Sequence, residues 1–296
     1  MKRILLASVA ALGLAGTASA ADLAVRAPVP VPLFSWTGCY LGINGGWIGG
    51  NDDYTTNRTI YYPFSDGPGI TAADNARLTR SYSSDQSGGT LGGQFGCQYQ
   101  AGWLVIGGEW DANWSTLEEN NSFVYPAIPF VSDPTRLWFP HTEYTHKQLD
   151  WFSTARVRVG AAWWDRVLVY ATGGLALGGL DSYTQVAFNP TVNGVAQNPN
   201  FFPQYFGGYR NQKIGWTLGG GIEWAFAANW TAKAEFLYLD LGSFDYLSPC
   251  TNSNGLTCGA GESWHTSIDA KEYVARVGIN YLFHFGPAVA PVVARY

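Results

Sequence analysis

Charge is what this sequence has least of. Asp, Glu, Lys and Arg make up 13% of its 296 residues, about half the ~25% usual in soluble proteins. The formal net charge is −5 and no basic patch stands out, so the electrostatic footprint of a nucleic-acid binder is missing. Low charge with 16% aromatic residues excludes intrinsic disorder, which needs the opposite balance. Methionine occurs once, at Met1. Histidine is confined to His141, His146, His265 and His284, without the HExxH spacing of a metal centre. The cysteines Cys39, Cys97, Cys250 and Cys258 form no C-x-x-C pair, so redox and zinc motifs are absent. Neither a metal nor a cofactor is implied. After residue 20 no apolar run reaches 18 residues, which leaves no helical membrane span.

What the chain does have is glycine, 36 residues, and rings, with 13 Trp, 17 Tyr and 16 Phe. Its first 20 residues, MKRILLASVAALGLAGTASA, combine a basic start, an apolar stretch and a small-residue site, the pattern of a cleaved secretory signal. Residues 21–35 carry Pro28, Pro30 and Pro32 and read as an extended periplasmic linker. Export without a spanning helix, in a chain crowded with Trp, Tyr and Gly, points to the outer membrane of a Gram-negative bacterium. Backbone groups in hydrocarbon must all be paired, so a membrane sheet has to close into a barrel.

Alternating polarity predicts eight strands, at Trp36–Trp47, Gly89–Gln98, Trp103–Thr116, Lys147–Ala162, Val167–Asp181, Asn211–Ala225, Trp230–Phe244 and Ile268–Phe285. The links Tyr99–Gly102, Trp163–Arg166 and Phe226–Asn229 are tight, and the other four, which alternate with them, are long. The expected fold is all-β: an eight-stranded antiparallel up-and-down transmembrane barrel over 36–285, with short periplasmic turns, long extracellular loops and a tail at 286–296. In the third strand Leu104, Ile106, Trp110 and Trp114 alternate with Glu109, Asp111 and Asn113. In the fourth, Trp151, Ala155, Val157 and Val159 alternate with Asp150, Thr154, Arg156 and Arg158. The apolar face of such a barrel meets lipid and the polar face lines the lumen.

The lumen face then holds Arg156, Arg158, Lys233 and Arg276 against Glu109, Asp111, Glu223 and Glu235. Glu109 and Asp111 fall at depths close to Arg156 and Arg158, and Glu223 faces Lys233 across a tight turn. A barrel of eight strands is about wide enough inside for side chains alone, and buried charges must be paired. Balanced charge favours a salt-bridged plug; the alternative is the selectivity ring of a small porin. Cys250 and Cys258 flank TNSNGLT in the last long loop, suiting a local disulfide in an oxidising compartment. Cys39 and Cys97 fall on one face of the first two strands, either as cross-strand neighbours or as two free thiols. His265 and Ser267, with Glu272 nearby, are spaced as in some outer-membrane lipid hydrolases, but a polar loop end is the favoured reading, since a triad needs geometry that spacing does not show.

The blocks WTGCYLGINGGW, GGTLGGQFGCQYQ, WLVIGGEWDANW, ARVRVGAAW, RVLVYATGGLA, WTLGGGIEWAFAANWTAKAEFLYLDLG and ARVGINYLF resemble the alphaproteobacterial outer membrane immunogenic proteins. That small porin-family group is similar to the OmpA-type transmembrane domain. The resemblance implies a surface-exposed, non-enzymatic barrel with a role in envelope integrity or host interaction. It implies outer-membrane lipid and lipopolysaccharide as surroundings, the barrel-insertion machinery as assembly partner and the loops as contacts for host or surface ligands. A monomer without nucleic-acid partners is expected. Phe283, Phe285 and Tyr296 are candidates for the aromatic assembly signal, and Cys39 and Cys97 stand where such proteins usually carry an aromatic.

Overall fold

The computed structural model describes residues 34–59, 72–129, 131, 134, 140–164, 166–188, 191–192, 195–196, 204–251 and 262–284. The secretory segment, most of the linker and the tail lie outside the described residues. Strands β1 (Gly38–Thr59), β2 (Arg80–Ala101), β3 (Leu104–Tyr125), β4 (His141–Trp164) and β5 (Val167–Phe188) are followed by β8 (Gln204–Ala225), β9 (Trp230–Thr251) and β10 (Ser263–Phe283). They close in the order β1-β10-β9-β8-β5-β4-β3-β2, every neighbour antiparallel. This is an eight-stranded up-and-down barrel. Helix α1 (Ala72–Leu78) and the two-residue strands β6 (Thr191–Val192) and β7 (Val195–Ala196) belong to the loops. The hairpin joining β2 to β3 turns at Gly102, whose φ of +63° is left-handed backbone that glycine adopts without steric cost.

Alternation fixes the two faces. On β3, Val105, Glu109, Asp111 and Asn113 are buried, while Ile106, Trp110 and Trp114 are 49–73% exposed. Leu41, Leu91, Val157, Leu218 and Val277 carry the exposed apolar band around the ring. Rings bound this band: Tyr99, Trp103, Trp163, Trp230 and Tyr281 by the tight turns, and Trp47, Trp114, Trp151, Trp216 and Tyr273 further out. At ~3.3 Å per residue and a tilt of about 40°, the interval spans about 25 Å, the height of an outer-membrane apolar belt.

The strands are longer than the alternation predicts. Each runs 21–24 residues, well beyond the outer girdle, so much of what reads as loop is paired sheet. There the ring changes character. The β2–β3 ladder stops at Thr90–Ser115. The β8–β9 ladder stops at Trp216–Asp240 and resumes only for Tyr205–Cys250 and Gln204–Thr251. All other junctions stay paired toward the tips. The two interrupted junctions are opposite each other in the ring. Beyond the girdle the barrel is therefore a pair of four-stranded sheets, β2-β1-β10-β9 and β3-β4-β5-β8, joined at their base.

An apolar core lies between the sheets, with Ile48, Tyr54, Phe244 and Ile268 on one side and Leu117, Leu149, Phe152 and Leu180 on the other. Lipid is as apolar as leucine, so burial drives folding little within the membrane. Outside it, water is excluded and each large side chain contributes roughly 1.5–3 kcal/mol. Aromatic pairs span the seams, Tyr82 with Phe123 at 4.6 Å and Tyr209 with Phe244 at 4.7 Å. Bulges reset the faces on two strands. On β4 the pairing shifts between Leu149 and Trp151, so Leu149 and Phe152 both point inward. Asp150, expected in the lumen by parity, sits on that bulge and is exposed. On β9 the shift falls at Gly242, with φ +72°.

Candidate functional site

The polar side chains that alternation turns inward meet in one disc across the membrane-spanning part of the lumen. Arg156 on β4 is its hub. Its guanidinium bonds Glu109, Asp111 at 2.8 Å and Glu235 at 2.9 Å. Arg276 on β10 bonds Asp111 at 2.8 Å and Glu235 at 2.6 Å. Lys233 on β9 donates to both oxygens of Glu109, at 2.9 and 3.0 Å. Arg158 bonds Glu223 at 2.6 Å and donates to the Tyr40 hydroxyl at 2.5 Å, with its guanidinium 3.9 Å over the Tyr170 ring. All eight charged groups are buried. Four cations and four carboxylates thus share one set of short contacts.

Neutral groups complete the disc. Tyr40 donates to Glu109 at 2.7 Å and Tyr170 to Glu235 at 3.0 Å. Thr231 and Asn280 donate to Glu223 at 2.6 and 2.9 Å. Asn44 donates to Gln94, which donates to Asn280, both at 2.6 Å. Every strand of the ring contributes a member. Glycine makes the room: a Cβ at Gly96 would strike the Tyr40 ring, and one at Gly221 would lie 2.7 Å from the Tyr170 hydroxyl.

Apolar layers cover both faces of the disc. Toward the tight turns Trp36, Val105, Leu168 and Ala225 close the base, with Phe34 packed beneath. Toward the loops the inter-sheet core closes the top. Embedded there is a second ion cluster, in which Lys147 bonds Asp52 and also Glu272 at 2.9 Å, all wholly buried. Sequence reasoning misses this cluster because Lys147 lies beyond the β4 bulge, where simple parity places it outside. Asp52 lies in a stretch that resembles polar loop, and Glu272, on the inner face of the predicted eighth strand, has no partner in sight without the other two.

The remaining candidates divide cleanly. Cys39 and Cys97 face each other across β1 and β2 and are disulfide-bonded. Cys250, at the tip of β9, is disulfide-bonded, while Cys258 lies outside the described residues. His265 lies 3.5 Å from Asp245 on the outer wall. Glu272 points to the opposite face and is held by Lys147, which removes it from any set with His265 and Ser267. At the loop end, Glu143 on β4 accepts from Tyr125 at 3.0 Å. Burial pushes its carboxyl up to about 7, against the opposing effect of hydrogen bonds from Tyr125, Thr56 and Trp264 and of the Arg80 charge.

Residues 7–283 match the family model described as outer membrane protein beta-barrel domain. The 31 kDa outer-membrane immunogenic proteins of Brucella melitensis and Brucella suis are each 33% identical over 289 residues, covering 96% of this chain and 100% of theirs. Among solved structures, OprG of Pseudomonas aeruginosa is similar at 11% identity and a TM-score of 0.36, with 86% of this chain and 100% of that one covered. The outer membrane protease OmpT of Escherichia coli is similar at 7% identity and a TM-score of 0.42, with the same coverage.

Proposed function

The chain belongs to the outer membrane protein β-barrel family, and on that premise we propose that it is a sealed, non-enzymatic barrel that reinforces the Gram-negative outer membrane and presents its loops at the surface. The observation that carries this reading is the ion pair of Lys233 and Glu109. They stand on strands four places apart in a ring of eight, so their contact at 2.9 Å crosses the full lumen. A conducting path would have to break this bridge and pass two apolar layers. Removing one partner from a buried pair costs about 3–5 kcal/mol, so the closed arrangement is strongly favoured. The test is current through planar lipid bilayers holding the purified, folded chain. Silence at all voltages below membrane breakdown is expected. Reproducible stepwise conductance would replace the sealed barrel with a porin.

A further inference from the structure

The outer wall beyond the lipid girdle carries a feature that neither the plug nor the membrane belt uses. Tyr144 and His146 on β4, Tyr183 on β5 and Phe206 on β8 point outward on three adjacent strands. Their rings form a continuous row, with His146 stacked on Tyr183 at 4.8 Å, Tyr144 beside Tyr183 at 5.9 Å and Phe206 beyond it at 5.8 Å. Phe206 is 55% exposed. Asn120 on β3 fixes one end of the row, accepting from the Tyr144 hydroxyl and meeting His146 Nδ1 at 2.9 Å.

The row is too far out to serve the membrane. Tyr144 and His146 lie seven and five residues beyond Trp151, the outer girdle of their strand. That places them on the order of 15 Å above the hydrocarbon, allowing for strand tilt. No acyl chain reaches that height, and water gains nothing from four rings side by side. Carbohydrate fits better than protein or polyanion. Aromatic faces with polar rims offer flat, rigid area at low entropic cost, and sugars present both C–H faces and hydroxyls. The polar neighbours are the amides of Asn120 and Gln185, the tyrosine hydroxyls and one carboxylate, Glu118, which accepts from Asn120 at 3.0 Å and lies 3.9 Å from His146, an arrangement that disfavours a polyanion. Among the described residues the nearby guanidinium, Arg210, is bonded to Asp181 at 2.7 Å, so this part of the wall holds no cluster of free positive charge for sulfates or phosphates.

We propose that this aromatic row is a docking platform for the sugar chain of the lipopolysaccharide surrounding the barrel. The inference rests on the outer-membrane reading, because only in that leaflet does a lipid-anchored glycan stand against the wall. Anchoring supplies effective concentrations in the millimolar range, so contacts too weak for free sugar suffice beside the barrel.

The test uses the full chain folded in detergent, with oligosaccharide released from the lipopolysaccharide by mild acid as the probe. Saturation-transfer NMR reads contact between protein rings and sugar protons. Transfer is expected in the wild type and should fall at least fivefold in a Tyr144→Ser, Tyr183→Ser, Phe206→Ser variant. Phe206→Ser alone, which disturbs no hydrogen bond, should give an intermediate loss. Heat-modifiable gel migration reports folding of each variant. Equal transfer in wild type and variants overturns the proposal, as does no transfer at millimolar sugar. Native mass spectrometry in which the variants lose only a dimer would assign the row to a second copy instead. Preference for a sulfated polysaccharide over the neutral sugar also overturns it. If the chain were missing from outer-membrane fractions, the membrane reading would fail while the NMR result still judged the wall.

Discussion

Lys233 and Glu109 rise from opposite walls of the barrel and their heads meet at 2.9 Å. Glu109 also takes contacts from Arg156 and Arg158, so it holds together three cations from two sides of the ring. Truncating it leaves all three short of counter-charge in a buried site. Glu109→Ala should lower stability by about 3–5 kcal/mol, seen as a lower temperature for loss of the fast-migrating folded band on gels. Glu109→Gln with Lys233→Met, which removes both charges, should recover much of that loss. An unchanged transition for Glu109→Ala would mean the network contributes nothing.

The two interrupted ladders give an exchange prediction. Between Phe206 and Gly215, β8 is paired to β5 but not to β9, and β2 from Arg80 to Gly89 is paired to β1 but not to β3. Amides directed into the seams should exchange with deuterium far faster than those at the same height on β4 and β5. Protection is local and follows the hydrogen-bond ladder. Uniform protection around the outer half would contradict the split into two sheets.

Glu143 makes the outer half sensitive to pH. Its carboxyl is raised in the folded protein to about 7, above the ~4.3 of an unfolded chain. The neutral form is therefore the one that folding favours. Its contribution is fully present below pH ~4 and is lost as pH rises through 7, with an upper bound of about 4 kcal/mol. Protease resistance of the outer sheets should be greater at pH 5 than at pH 8. Glu143→Gln should flatten that difference, and an equal difference in the variant would locate the titrating group elsewhere.

The disulfide between Cys39 and Cys97 joins residues 58 apart in sequence. Closing a loop of that size restricts the unfolded chain by about 4 kcal/mol in the entropic account. The Cys39→Ala, Cys97→Ala variant should unfold at a lower temperature yet retain the same folded band. In non-reducing peptide mapping, Cys250 should appear linked to a peptide containing Cys258. Recovery of Cys258 as a free thiol would rule that out.

Much of the fold was readable because lipid imposes a simple rule. Between the girdles, period-two alternation and the tight turns at 102–103 and 226–229 define the strands, and the lumen charges stand on the polar face of each. Beyond the girdle the rule weakens, since water replaces hydrocarbon and both faces carry mixed residues. There two bulges also shift the phase. Leu149 and Phe152 share a face only because one residue bulges out, and Leu241 and Phe244 do so around Gly242. No count along the sequence locates an extra residue, so the inter-sheet core and Lys147 with its two carboxylates remained hidden. The Cys39–Cys97 register was legible as proximity, but not as a bond.

The polar disc draws on all eight strands, which has a consequence for assembly. Asn280 and Arg276 come from β10, the last strand made, yet their partners Gln94 and Asp111 stand on β2 and β3. A sheet still lacking β10 would hold Asp111 with fewer counter-ions and Gln94 without its acceptor, while facing hydrocarbon or detergent. Such a curled intermediate is penalised on its inner face as well as along its open edges. Insertion and closure are thereby coupled into one event, and the final strand acts as the zip that neutralises the interior.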